Sequence, residues 1–269
     1  MNADFARMKQ DFGASIVRMY YPMCLEPSVF ENALKAGVAN DMAVIFQVWT
    51  DFGNSDEWKQ SQQAIYDVLE SPEYGPIAPY VVHSADFGSE PIFDGMDGGG
   101  EQFIADLALF REKLNSYGIR AGISEIWDHP GIMSGEGNTG LAEIGAGVKA
   151  NSDYCHAHIM PYYDTSVSIN ETWPYILEQI EWLDQNVGLP TMITETQWAW
   201  ARNKGHAVNR SDLSVTQYAQ YWDKFNDMCA TFKEFDVGWF LHTWRGEGTF
   251  DIMYENGTYV IPPRHFTRC

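Results

Sequence analysis

Two glutamates stand where short apolar runs end: Glu90 in "YVVHSADFGSEPIF" and Glu195 in "PTMITETQWAW". An acid set among hydroxyls and indoles can be a surface charge, a structural ion-pair partner or a catalyst. Two such acids at one site can divide acid, base and nucleophile work between them. Further polar and aromatic residues fall at the ends of similar runs. Tyr20 and Tyr21 end the first, and Trp49 and Asp51 the second. Ser89, Glu90 and Phe93 follow the third, then Glu125, Trp127 and Asp128 the fourth. Tyr162, Tyr163 and Asp164 follow the fifth, Trp198 accompanies Glu195, and Trp244 and Glu247 close the last. Pyranose faces stack on indole and phenol rings, and paired carboxyl groups cleave glycosidic bonds. A sugar is therefore the expected partner, lying in a groove lined by Tyr20, Tyr21, Trp49, Phe93, Trp127, Tyr162, Tyr163, Trp198 and Trp244.

Something must bring these run ends to one place. The runs are "ASIVRMYYP", "MAVIFQVW", "YVVHSADFG", "RAGISEIWD", "CHAHIMPYY", "PTMITETQW" and "VGWFLHTW". Helical stripes lie between several of them. Phe103, Leu107, Phe110 and Leu114 form one, with Glu101 in the first turn and Gly118 placed to end it. Trp173, Ile176, Ile180, Leu183 and Val187 form a second; Tyr218, Trp222, Phe225, Cys229 and Phe232 form a third. Continuously apolar strands alternating with helices predict a parallel sheet covered by helices. Seven strands without a Gly-rich nucleotide turn favour a (β/α)8 TIM barrel over an open sheet. Such barrels build their sites at the C-terminal strand ends, where these residues fall. The expectation is one barrel domain over residues 1–269.

Composition narrows the function. The 269 residues are 45% hydrophobic, enough for a large core, and an α/β barrel commonly needs about 250 residues. Seventeen basic against 37 acidic residues give a net charge of -20, which repels phosphate backbones and anionic membranes. Nucleic-acid and membrane roles are therefore not expected, and no apolar run reaches the ~18 residues of a span. His156-x-His158 offers two imidazoles on one strand face but no third ligand at a defined spacing, so no metal and no cofactor are expected. The residues Asp128, Glu136 and Asn138 do not match a calcium loop.

The chain resembles glycoside hydrolase family 17, the β-1,3-glucanases and glucanosyltransferases, and most of all its fungal and oomycete cell-wall branch. "ASIVRMYYPMC", "VVHSADFGSEPIF", "AHIMPYYD" and "MITETQWAW" carry the resemblance, from about residue 13 to 250. It implies a retaining hydrolase or transglucosylase acting on β-1,3-glucan, with Glu90 as acid/base and Glu195 as nucleophile, their carboxyl groups about 5–5.5 Å apart. Three departures stand out. Ser89 replaces an Asn common before the acid, Gln197 replaces the usual Gly before Trp198, and Glu125 adds a third acid that either binds sugar or pairs with a cation. Two other readings remain: a glucan-binding barrel without turnover, and a same-clan glycosidase acting on β-1,4- or β-1,6-glucan.

The resemblance implies a secreted or cell-wall protein, and a monomer is expected. Three acceptor triplets begin at Asn170, Asn209 and Asn256, while "MNADFARMKQ" lacks the apolar core of a signal peptide. Residues 1–12 read as a helix where the family has its first barrel strand. The expectation is a barrel lacking that strand, in an N-terminally truncated gene model or fragment. "DIMYENGTYVIPP" predicts a terminal hairpin around Asn256-Gly257. Cys24, Cys155, Cys229 and Cys269 show no metal spacing; buried thiols are expected, with room for one disulfide and no readable pairing.

Overall fold

The computed structural model describes residues 1–19, 25–53, 56–95, 98, 100–202 and 208–266. Each apolar run yields a strand, and helices separate them. The chain forms two units, Met1–His156 and Ala157–Cys269. The first holds α1 (Asn2–Phe12), β1 (Ile16–Arg18), α2 (Pro27–Asn40), β2 (Ala43–Val48), α3 (Glu57–Glu70), α4 (Ala78–Val81), β3 (Val82–Ser89), α5 (Glu101–Asn115), β4 (Arg120–Glu125) and α6 (Glu143–Ala150). Strand β5 (Cys155–His158) crosses the boundary. The second unit holds α7 (Thr172–Asn186), β6 (Thr191–Glu195), α8 (Val215–Asp227), α9 (Cys229–Glu234) and β7 (Val237–Trp239).

Strand order follows chain order, β1 to β7. Within the first unit β1 pairs with β2, β2 with β3 and β3 with β4; within the second, β6 pairs with β7, all in parallel. Burial explains why the strands read as continuous apolar runs. In β2, Val44, Ile45, Phe46, Gln47 and Val48 are all buried, as befits strands covered on both faces. Residues 2–12 are helical, with Phe5 and Phe12 buried, so no strand precedes β1 among the described residues.

The helical stripes also form. Phe103, Leu107, Phe110 and Leu114 of α5 are fully buried. The helix stops at Asn115, and Gly118 takes a left-handed φ of 77° two residues past the Ser116 cap. Helix α8 opens with Ser214, whose Oγ accepts from Gln217 N, as an N-cap does. The third stripe does not run through one helix as expected. It breaks at Met228 into α8 and α9, while Tyr218, Trp222, Phe225 and Phe232 stay buried together. No Gly or Pro marks that break in the sequence.

The terminal hairpin is smaller than expected. Asn256-Gly257 makes the turn, with Tyr254 N donating to Thr258 O, but only one bridge, Met253 to Tyr259, follows. Cys229 is disulfide-bonded and Cys155 is a buried thiol; Cys24 and Cys269 lie outside the described residues. No helix among the described residues is long and apolar enough to cross a membrane.

Candidate active site

In the first unit, the approach to Glu90 is a β-bulge. Asp86 pairs with Gly122 and Ser89 with Ser124, so three steps of β3 match two of β4. A bulge bends its strand and re-aims the side chains that follow. Gly88 sits inside it at φ 106°, where a Cβ would lie 2.4 Å from Thr50 Oγ1. Glu90 itself is left-handed at φ 50°, an uncommon state for a residue with a side chain. Its N–H donates to Ser124 O at 2.8 Å, and its carbonyl accepts from Asp94 N at 2.9 Å. Glu90 is half-buried just past the end of β3.

The turn after Glu90 hangs on Glu125. That carboxylate, fully buried, accepts from Ile92 N at 2.9 Å, Phe93 N at 3.3 Å and Ile126 N at 2.8 Å. Beside the roles expected for Glu125, sugar binding or pairing with a cation, the carboxylate anchors backbone amides. Three charge-assisted bonds to a buried carboxylate make it part of the frame that fixes Glu90.

A buried charged layer holds Ser89, the residue before Glu90. The Arg18 guanidinium, 5% exposed, points Nε at Asp86 Oδ2, 3.4 Å away. Its Nη2 donates to Gln47 Oε1, Ser89 Oγ and Ser124 Oγ at 2.8, 3.1 and 2.9 Å. Asp86, fully buried, also meets His156 Nδ1 at 2.7 Å and accepts from Tyr154 OH at 3.0 Å. Burial alone would raise its pKa; the His156 charge and hydrogen bond, Arg18 and Tyr154 outweigh that and hold the carboxyl below its ordinary value. Ser89 is thus held by Arg18.

In the second unit, Glu195 is the last residue of β6 and only 2% exposed. His158 Nε2 lies 3.2 Å from its Oε1, and His242 Nε2 3.9 Å from its Oε2. The neighbouring threonines alternate with it along the strand: Thr196 Oγ1 bonds Tyr221 OH of α8, and Thr194 Oγ1 donates to Ala157 O at 3.5 Å. Glu247, after β7, has its carboxyl raised by burial, then by the Glu195 charge and Asp251. His158 and His242, the imidazoles at Glu195, were not singled out for this role by spacing. A histidine pair at alternate strand positions was the available signal for His156 and His158, and both are buried and paired.

The aromatic lining divides. Phe93 and Tyr163 are 39% exposed, and Trp49 and Trp244 are half-buried. Trp127, Tyr162 and Trp198 are fully buried and belong to the core instead of a sugar groove. Trp127 Nε1 donates to His156 O. Trp198 carries the Arg210 guanidinium 4.2 Å above its ring, stacks on Tyr221 and donates to Asp212 O. Tyr162 packs edge-on against Trp198 and Phe250. On Trp198, the Arg210 guanidinium and Tyr221 already cover the ring faces a sugar would need. Tyr20 and Tyr21 lie outside the described residues.

Solved structures of similar fold include an active-site mutant of the Rhizomucor miehei β-1,3-glucanosyltransferase in complex with laminaritriose. It is 18% identical, with a TM-score of 0.74 over 99% of this chain and 92% of that one. A second structure of the Rhizomucor miehei glycoside hydrolase family 17 β-1,3-glucanosyltransferase aligns at 20% identity and TM-score 0.71, over 99% and 92%. An Amycolatopsis mediterranei GH128 endo-β-1,3-glucanase with laminaritriose aligns at 12% identity and TM-score 0.56, over 95% and 90%. Among curated proteins no match was found. At these identities the alignments establish a TIM-barrel fold, here with α1 standing before β1. The BtgE/BtgC glycoside hydrolase domain family matches residues 1–252, nearly the whole sequence, and the chain belongs to it.

Proposed function

We propose that the chain cleaves or transfers β-1,3-glucan with retention of configuration, as one catalytic domain and a monomer. Glu195 is the nucleophile and Glu90 the acid/base. One observation carries the reading. In a glycoside hydrolase family member, Glu195 ends a barrel strand as a buried carboxylate with an imidazole at each oxygen. A carboxylate so held keeps its orientation. Glu195 attacks the anomeric carbon while Glu90 gives its proton to the departing glycosidic oxygen. Glu90 then takes a proton from water, or from the hydroxyl of a second glucan chain, as that oxygen displaces Glu195. Among the described residues, Phe93, Tyr163, Trp49 and Trp244 keep ring surface exposed for sugar stacking. The β-1,3-linked oligosaccharides bound by the similar structures support this substrate class.

Reducing-sugar release from laminarin, pustulan, lichenan and carboxymethyl cellulose tests the substrate. Laminarin is expected to be turned over fastest, with products longer than the substrate appearing if transfer competes with water. Preference for pustulan or carboxymethyl cellulose would refute the linkage. Laminarin binding without any release would point to a glucan-binding barrel.

The same reading makes the chain a secreted, cell-wall glycoprotein. The disulfide at Cys229 favours an oxidising compartment. Asn170, Asn209 and Asn256 are all exposed in their acceptor triplets. Protein isolated from its natural source is expected to lose mass on enzymatic removal of N-glycans. Unmodified asparagine at all three positions would count against it.

A further inference from the structure

We infer that Gln197 is a positioning residue: its buried amide fixes the protonated form of His242 that faces Glu195. The inference rests on the reading of Glu195 as nucleophile. It concerns a position where the family motif carries glycine and this chain carries an amide.

Gln197 is 4% exposed and reaches three groups. Its Nε2 lies 3.0 Å from Tyr163 OH and 3.4 Å from Met160 Sδ, and its Oε1 lies 3.1 Å from His242 Nδ1. A thioether sulfur can only accept, so the amide NH2 belongs on the Met160 side. The carbonyl oxygen then faces His242, and an oxygen cannot donate. His242 Nδ1 must therefore carry the hydrogen.

This assignment leaves His242 two forms. In the neutral ring, Nε2 would turn a lone pair toward Glu195 Oε2, 3.9 Å away. In the imidazolium, Nε2 presents a hydrogen to that carboxylate while Nδ1 keeps its bond to Gln197. The second arrangement satisfies both neighbours; the first sets a lone pair against an anion. Gln197 thus excludes the neutral Nε2–H tautomer, the one form that could face Glu195 without charge.

The other groups around the pair fit this. From β5, His158 Nε2 meets Glu195 Oε1 at 3.2 Å. From the segment after β7, Glu247 adds a carboxyl that burial, the Glu195 charge and Asp251 push toward its protonated form. Asp251 is likewise raised by burial. Tyr163 OH closes the far end of the amide. An imidazolium at His242 keeps Glu195 ionised. When Glu195 becomes a neutral glycosyl ester, the same ring loses its counter-charge, which favours expulsion of the carboxylate in the second step.

The test uses the full chain and two variants, Gln197→Leu, which removes the acceptor, and Gln197→Glu, which keeps one. Ring ¹⁵N shifts of His242, assigned by their loss in His242→Gln, are read against pH. In the wild type both ring nitrogens are expected to carry hydrogens at neutral pH. In Gln197→Leu the ring is expected to become neutral there, and the acid limb of kcat/KM to move up by about one pH unit or more. Gln197→Glu is expected to retain the wild-type pattern. A wild-type Nδ1 without its hydrogen overturns the inference, even if Gln197→Leu does not fold. So does a His242 titration unchanged in Gln197→Leu. The spectra need no turnover, so a chain inactive on every glucan would sink the substrate reading and leave this one to be judged separately.

Discussion

Replacing Glu195 by alanine is expected to lower laminarin turnover on the order of 10⁴-fold or more, the scale on which loss of a covalent nucleophile falls. Azide added to that variant should enter the vacated space and attack from the same face as the lost carboxylate. Its product is an α-glycosyl azide, because the displacement then happens once and inverts the β-linkage. Glu90→Ala should behave differently. With a good leaving group such as a dinitrophenolate, it should still form the glycosyl-enzyme and stall there. Azide then intercepts that intermediate and gives the β-glycosyl azide. Opposite anomers from the two variants separate nucleophile from acid/base in a way that two slow rates cannot. Wild-type rates in Glu195→Gln would remove Glu195 from the chemistry. A β-azide from Glu195→Ala would reverse the two roles. Mass spectrometry after trapping with a 2-fluoro-glucoside should place the sugar on the peptide containing Glu195.

Strand positions were legible because burial on both faces leaves a plain trace in composition. "MAVIFQVW" is apolar throughout because β2 is covered throughout. The helices announced themselves by spacing, as with Phe103, Leu107, Phe110 and Leu114. The strand-end positions of Glu90 and Glu195 were legible for a related reason: a charge directly after an apolar run lies at a strand end. What an aromatic residue touches was not legible. Trp198 after β6 looks the same in sequence whether its face meets a pyranose or, as here, the Arg210 guanidinium. Arg210 lies twelve positions on, and no local pattern marks it as a partner. The amide-anchoring role of Glu125 was not legible either. Its partners are backbone amides of Ile92 and Phe93, and an amide acceptor site has no residue type to betray it. The bulge before Glu90 was half visible as Gly88, since only a glycine fits that φ beside Thr50.

Asp86→Ala is expected to cost about 3–5 kcal/mol, because it takes a buried counter-charge from the Arg18 guanidinium. In a chain of this length that corresponds to a fall in Tm of about 10 °C. The loss should depend on pH in a defined direction. The surroundings hold the Asp86 carboxyl below its ordinary value, against the opposing effect of its own burial. A group depressed in the folded state stabilises above its unfolded pKa and loses that contribution as pH falls through the folded value. The wild type should therefore lose stability in acid and approach the variant, whereas near neutral pH the gap stays fully open. Denaturant titrations of both proteins at several pH values check this; a gap under about 1 kcal/mol at neutral pH would overturn it. The double variant Arg18→Met, Asp86→Leu sharpens the argument, since apolar replacement of both partners of a buried pair is often neutral. Its stability should recover most of the loss, yet its turnover should not. Arg18 also holds Ser89 and Ser124 by their hydroxyls, and Ser124 O receives the Glu90 N–H. Without the guanidinium, the left-handed turn that aims Glu90 loses that support. A double variant that is both stable and fully active would show that this layer serves the fold alone.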